Sequence, residues 1–310
     1  MVSVKTAEQD RTTIFQNPGA VPFLALIAVC VWGAAYPFIK LGLLGFGIAS
    51  ADTAAKTLFA GLRFTIAGGV LLMIAAVRGL RLGMSRAVAP WVLLYALVNT
   101  ALHYFFFYIG VSNSAGSRAA VLNSLGTFML VFLSCAIFPE EHLTRARVLG
   151  CIVGFSGLLC LNLDFGGGGS FTLSGDGMIV LNAVCSAFGG ILTRIIGKKT
   201  QVFVMTGYGL LLGGLMLVAA GLGMGGHIRS VTAEGVFDLL ILVLISAVGF
   251  SVYNQLLQYH PVGRVAIFSS LIPVFGIVFS CLLLREAFTL RYVFAALLVT
   301  SGIFIINREK

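Results

Sequence analysis

The stretch Ala115–Asn162, AGSRAAVLNSLGTFMLVFLSCAIFPEEHLTRARVLGCIVGFSGLLCLN, decides the fold. Two apolar runs are joined by one short polar hinge, Pro139-Glu140-Glu141-His142-Leu143-Thr144-Arg145. Each run approaches the length of about 20 residues that crosses the hydrocarbon core of a bilayer. About 145 residues later the pattern returns, between Val262 and Asn307. Arg264 follows a small residue as Arg118 does, and Ser270-Leu271 answers Ser124-Leu125. Glu286-x-x-Thr289 answers Glu141-x-x-Thr144, and Gly302 and Asn307 answer Gly157 and Asn162, with one residue of slack near the hinge. A repeat this long predicts a protein built from two similar halves.

The remainder of the chain has the same character. Hydrophobic residues make up 59% of 310 and charged residues 10%, with a mean hydropathy of +1.03. A soluble domain carries about 25% charged residues, so this chain lacks the polar surface to meet water on all sides. It reads as an all-α membrane protein, with the lipid bilayer as its solvent. The net charge of +9 does not imply nucleic acid, because lysines and arginines are scattered through short loops rather than gathered on one face. The six cysteines (Cys30, Cys135, Cys151, Cys160, Cys185, Cys281) fall inside apolar runs without metal-type spacing, and read as small packing residues without disulfides.

Apolar runs fall at roughly 21–44, 58–77, 88–110, 115–138, 146–163, 176–196, 202–222, 236–257, 264–284 and 289–307. They predict ten transmembrane helices. The organisation is a tail over 1–20, a five-helix repeat over 21–163, a glycine-rich linker over 164–175, a second repeat over 176–307 and a tail over 308–310. Residues 1–20 lack the basic start and small-residue cleavage site of a secretory signal. With the N-terminus in the cytosol, thirteen lysines and arginines lie on that side against seven on the other. This bias places both termini in the cytosol. Five helices per half is an odd number, so the halves run in opposite directions across the membrane. Such inverted repeats typify secondary transporters, which handle substrate near the midplane.

Several motifs now carry a resemblance. They are Trp32-Gly33 with Lys40, Arg63-Phe64-x-x-Ala67-Gly68, Ala115-Gly116-Ser117-Arg118-Ala119-Ala120 and Glu141-x-Leu143-Thr144. In the second half Gly263-Arg264-x-Ala266, Pro273 and Glu286-x-x-Thr289 follow. In order and spacing the chain resembles the drug/metabolite transporter superfamily, in its ten-helix EamA-type branch, across 21–307. The resemblance implies an inner-membrane carrier, often an exporter of amino acids or related metabolites, with a cavity lined mainly by helices 1, 3, 4, 6, 8 and 9. The second half departs from the first where Tyr208 stands in place of Arg63.

Polar side chains in mid-membrane either pair internally or line a cavity. Helix 3 carries Asn99, His103 and Phe107 at spacings of four, on one face. Helix 1 presents Trp32 and Tyr36, helix 6 presents Asn182 and Ser186, and helix 8 presents Ser246, Phe250 and Tyr253. Together they describe an aromatic cavity with neutral hydrogen-bonding groups, suited to an amphipathic small-molecule substrate. An aromatic run such as His103–Tyr108 reads equally as an interfacial belt. Arg118 and Arg264 open their helices, where they either attract a substrate carboxylate or snorkel to headgroups. Arg63 either closes a gate, meets an anion or pairs structurally, for example with Asp52. Thr144 and Thr289 read as N-caps, and Glu141 and Glu286 as structural hinge residues.

All acidic residues lie in loops, tails or helix ends. A proton-coupled exporter of cationic drugs generally needs a buried carboxylate, so a neutral, zwitterionic or anionic substrate is expected. Coupling through His103 and facilitated diffusion both remain open. Phosphorylated or nucleotide-linked sugars, contacted by Lys40, Arg63 and Arg118, are the alternative cargo. An intramembrane enzyme is remote: His103, His142, His227 and His260 share no ligand spacing, and no catalytic residue, metal or cofactor is expected.

Overall fold

A backbone in hydrocarbon must satisfy its polar groups within its own segment, and the helix is the one form in which a single run does so. The computed structural model describes residues 14–113, 116–162, 171–285 and 290–308, the side chains of 116–121, 158, 160–162 and 291–292 excepted. Among the described residues every regular element is helical. In chain order the runs are α1 (Pro18–Gly45), α2 (Thr53–Val77), α3 (Ala89–Asn113), α4 (Gly116–Ile137) and α5 (Arg145–Asn162). There follow α6 (Leu173–Gly197), α7 (Val202–Gly223), α8 (Ala233–Tyr259), α9 (Val262–Leu284) and α10 (Leu290–Arg308). Seven of them (α1, α2, α3, α6, α7, α8 and α9) are long and apolar enough to cross a membrane.

Local chemistry explains the ends. The Asp52 carboxylate accepts from the Ala55 amide at 2.9 Å, so α2 starts at Thr53, five residues before its apolar run. Thr232 accepts from Gly235 at 3.0 Å and likewise draws α8 back to Ala233. Side-chain oxygens at these positions satisfy amides that a helix start leaves free, and hydropathy does not register them. Thr144 accepts from Arg147 at 3.2 Å, the cap its spacing predicts. The tail over 1–13 and the linker core over 163–170 lie outside the described residues.

Three irregularities mark the middle of the bundle. α3 is a π-helix over Ala96–Leu102, immediately before His103. Pro37 interrupts α1, removing the amide that would bond the Gly33 carbonyl. α9 opens as a short α-helical turn, tightens to a 3-10 turn over Ile267–Leu271 and carries Pro273. α1 and α9 cross at this weakened point. A Cβ on Gly33 would come within 2.9 Å of the Gly276 amide, and one on Gly276 within 2.8 Å of the Tyr36 ring.

The packing has a two-fold pattern. The main contacts are α2 with α7, α5 with α10, α1 with α8 and α9, and α6 with α3 and α4. Exchanging the first five helices for the last five maps this set onto itself. At the end where α1 starts and α10 stops, Val29, Val131, Leu256, Leu257, Val262 and Ala266 belong to one buried apolar cluster. Five cysteines (Cys30, Cys135, Cys151, Cys185, Cys281) are free; the side chain of Cys160 lies outside the described set.

Candidate functional site

The site is an arc of aromatic rings crossing the bundle from α1 to α6. Trp32 of α1 stands between Phe250 (5.2 Å between centroids) and Tyr253 (5.0 Å) of α8. Its indole lies over Gly249, where an added Cβ would meet Cδ1 at 2.8 Å. Phe250 faces Phe64 of α2 edge-on at 6.2 Å, and Phe64 packs on Tyr104 of α3 at 4.2 Å. Tyr104 is perpendicular to His103, with 4.5 Å between centroids. Such edge-to-face pairs add about 0.5–1.5 kcal/mol each beyond area burial, so the walls are stiff.

Polar groups punctuate the arc. The Asn182 carbonyl accepts from His103 Nδ1 at 3.3 Å, which places the neutral ring's proton there and leaves Nε2 as acceptor. Asn182 Nδ2 donates to Asn123 Oδ1 of α4 at 2.5 Å. Arg63 is 3% exposed, with its guanidinium 5.0 Å from the Phe64 centroid. Arg63 Nε donates to Ser246 Oγ (2.7 Å) and the Leu242 carbonyl (3.2 Å) of α8. Among the described residues no carboxylate lies within ion-pair distance of Arg63. Trp32 Nε1, a donor, and Asn182 Oδ1, an acceptor, are buried without hydrogen-bond partners among the described residues. A buried polar atom left so is unfavourable by about 1–3 kcal/mol.

The structure sorts the residues singled out from the sequence. Trp32, His103, Asn182, Phe250 and Tyr253 come together, and the Tyr253 hydroxyl accepts from Ser269 at 3.1 Å. Tyr36 lies one turn from Trp32 against Gly276 and is 43% exposed. Asn99 shares the α6-facing side of α3 with His103, but is engaged with the Tyr95 hydroxyl at 3.0 Å. Tyr95 also receives Asn254 at 2.8 Å. Phe107 is half-buried beside Tyr104 and Tyr108 (6.4 and 5.6 Å). Ser186 sits apart, where α6 meets Gly126 of α4. The Arg118 side chain lies outside the described set.

Two sequence readings are corrected. Asp52 caps its own helix, so Arg63 does not pair with it but reaches across to α8. Arg264 is engaged internally rather than snorkelling: Nε donates to Asn307 Oδ1 at 3.2 Å and Nη2 to its carbonyl at 3.4 Å. Phe64, Tyr104 and Asn123 were not foreseen as site residues. Asn123 carried a signal, being a carboxamide in mid-run with nothing local to bond.

The helices are thus paired in two-fold fashion around a half-polar aromatic centre, an arrangement in keeping with a membrane transporter. The family model described as the EamA-like transporter family matches residues 20–163 and again 173–308. The chain belongs to that family, within the drug/metabolite transporter superfamily. It is 28% identical to the uncharacterized transporter YvbV of Bacillus subtilis, over 93% of this chain and 91% of that one. It is 26% identical to a probable amino-acid metabolite efflux pump of Salmonella typhimurium, over 91% of this chain and 93% of the pump. A solved crystal structure, 18% identical, superposes with a TM-score of 0.76 over 92% of this chain and 97% of its own.

Proposed function

We propose that the protein is a secondary carrier of amino acids or related small neutral or zwitterionic metabolites, moved outward across the inner membrane. In this reading the ten helices form two inverted five-helix halves with both termini in the cytosol. The halves rock about the α1–α9 crossing, where Pro37, Gly33, Pro273 and Gly276 lower the resistance to bending.

The observation that carries the reading is Arg63: a buried guanidinium with no carboxylate beside it among the described residues, set in an aromatic arc. A buried charge is stable only when paired, and a substrate carboxylate supplies the pair. The open Trp32 donor assists at the same end, and the open Asn182 acceptor takes the ammonium. The rings hold an apolar side chain between them. The amino-acid efflux relative is in keeping with this cargo. A phosphorylated or nucleotide-linked sugar carries about two negative charges in all, and Arg63 alone matches it poorly.

Uptake by Arg63→Gln in proteoliposomes tests the assignment. Losing a hydrogen bond to a charged group corresponds to about 10- to 100-fold, and the expected result is a rise of that size in KM for an amino acid. Transport of the corresponding amino-acid amide, which has no carboxylate, is expected to change less than twofold. Equal losses for both compounds overturn the assignment. A pH gradient, applied or omitted, separates proton coupling through His103 from facilitated movement.

A further inference from the structure

The hinge carboxylate of the first half, Glu141, does more than end one helix and start the next. It is 1% exposed, at the end of the bundle that carries the termini. Its own helix is already capped by Thr144. The Glu141 carboxylate instead crosses to the second half. Oε1 accepts from the Val262 amide at 2.5 Å and Oε2 from the Gly263 amide at 3.1 Å, the first amides of α9. Arg194 of α6, also in the second half, approaches Oε1 to 3.4 Å. From its own half come Ser134 Oγ at 3.0 Å and Arg147 at 3.5 Å. Arg194 additionally donates to the His260 carbonyl in the α8–α9 turn and to Glu140 at 2.9 Å.

We propose that Glu141 is the latch of the transport cycle: it closes the path at the termini end, and opening there requires its carboxylate to leave the start of α9. Two features favour a latch over a fixed brace. First, the partners divide between the halves, so relative rocking must strain this carboxylate. Second, the second-half partners are two backbone amides and one arginine, which water and Glu140 can satisfy once the carboxylate withdraws.

The inference rests on the two-halved alternating-access reading, but not on which substrate is carried. Its test is therefore hydrogen–deuterium exchange of the intact protein in lipid nanodiscs, with no substrate present. Glu141→Gln keeps the shape and loses the charge. Expected is about tenfold or faster exchange in the segment 258–267, the scale of one lost hydrogen bond to a charged group. Slower exchange should accompany it in 43–53 and 228–236, as the opposite end closes. Thr144→Ala, which removes the cap at the start of α5, should raise exchange locally and leave both distant segments unchanged. Should Glu141→Gln fail to fold, Ser134→Ala removes one partner while keeping the charge, and should shift the same segments in the same directions by less. Faster exchange at 258–267 with no change at the opposite end makes Glu141 a static cap and overturns the proposal. If wild-type liposomes move no amino acid, the cargo is wrong, while the exchange pattern still decides the latch.

Discussion

Replacing Gly68 with alanine adds a single carbon at the closest approach of α2 and α7. The new Cβ would lie 2.6 Å from the Gly207 carbonyl oxygen and 2.7 Å from Leu211 Cα, whereas ordinary contact starts at 3.4 Å. The shortfall is at least about 0.8 Å against backbone, with the Leu211 amide nitrogen closer still, and no rotamer change relieves it. The helices must separate along a seam where Gly214 is equally close to α2, its own added Cβ 2.6 Å from Thr65 Oγ1. Helices associating in lipid depend on such close approach by small residues, and overpacking of this kind costs about 1–3 kcal/mol. At roughly 2–4 °C per kcal/mol for a large domain, the melting temperature should fall by about 2–12 °C. The adjacent Gly69 is the internal control, because a Cβ there meets nothing within 4 Å. Gly69→Ala should melt at the wild-type temperature or slightly above it, since alanine is the better helix former. Thermal denaturation of both variants in one detergent, followed by size-exclusion fluorescence, reads the difference. Equal melting temperatures would refute the reasoning.

Other consequences are open to measurement. Trp32→Ala removes the ring shared by Phe250 and Tyr253 and should raise KM for aromatic amino acids at least tenfold while leaving expression intact, as read by liposome uptake; an unchanged KM would remove Trp32 from the site. Thr232→Ala deletes the cap on Gly235 and should lower stability by about 1 kcal/mol, measurable as a small drop in melting temperature. His260, in the turn between α8 and α9, is held below the usual histidine range by burial first, with Arg264 and Arg194 adding to it and the Phe15 carbonyl opposing it. Its neutral form is therefore favoured in the fold. As pH drops through about 6.5 the unfolded chain takes up a proton that the folded chain refuses, so stability falls on acidification. His260→Asn should flatten that acidic limb of a melting-temperature profile, and an unchanged limb would assign it elsewhere.

Much of the architecture is legible before any coordinates. The apolar runs become helices and the repeat is matched twice by the family model, over 20–163 and 173–308, because hydropathy and repetition are one-dimensional signals that need no partner. Helix starts were displaced where Asp52 and Thr232 recruit polar residues into the first turn. The site was half legible. Trp32, His103, Asn182, Phe250 and Tyr253 share helix faces that spacing reveals. Phe64 and Tyr104 join them only because α2 and α3 come side by side. Glu141 shows the limit most clearly, for its partners Val262 and Gly263 lie more than a hundred residues away and are backbone amides that any sequence would offer. Arg63 misled for the same reason: the nearest acid in sequence, Asp52, was already engaged by its own helix start.

The central claim is that this chain carries small carboxylate-bearing amino metabolites through the aromatic arc. The most direct test is uptake of a labelled amino-acid panel, with one sugar phosphate, into liposomes of the purified protein. The account predicts saturable entry of apolar and aromatic amino acids, competed by one another and not by the sugar phosphate. Transport of the sugar phosphate alone would contradict it.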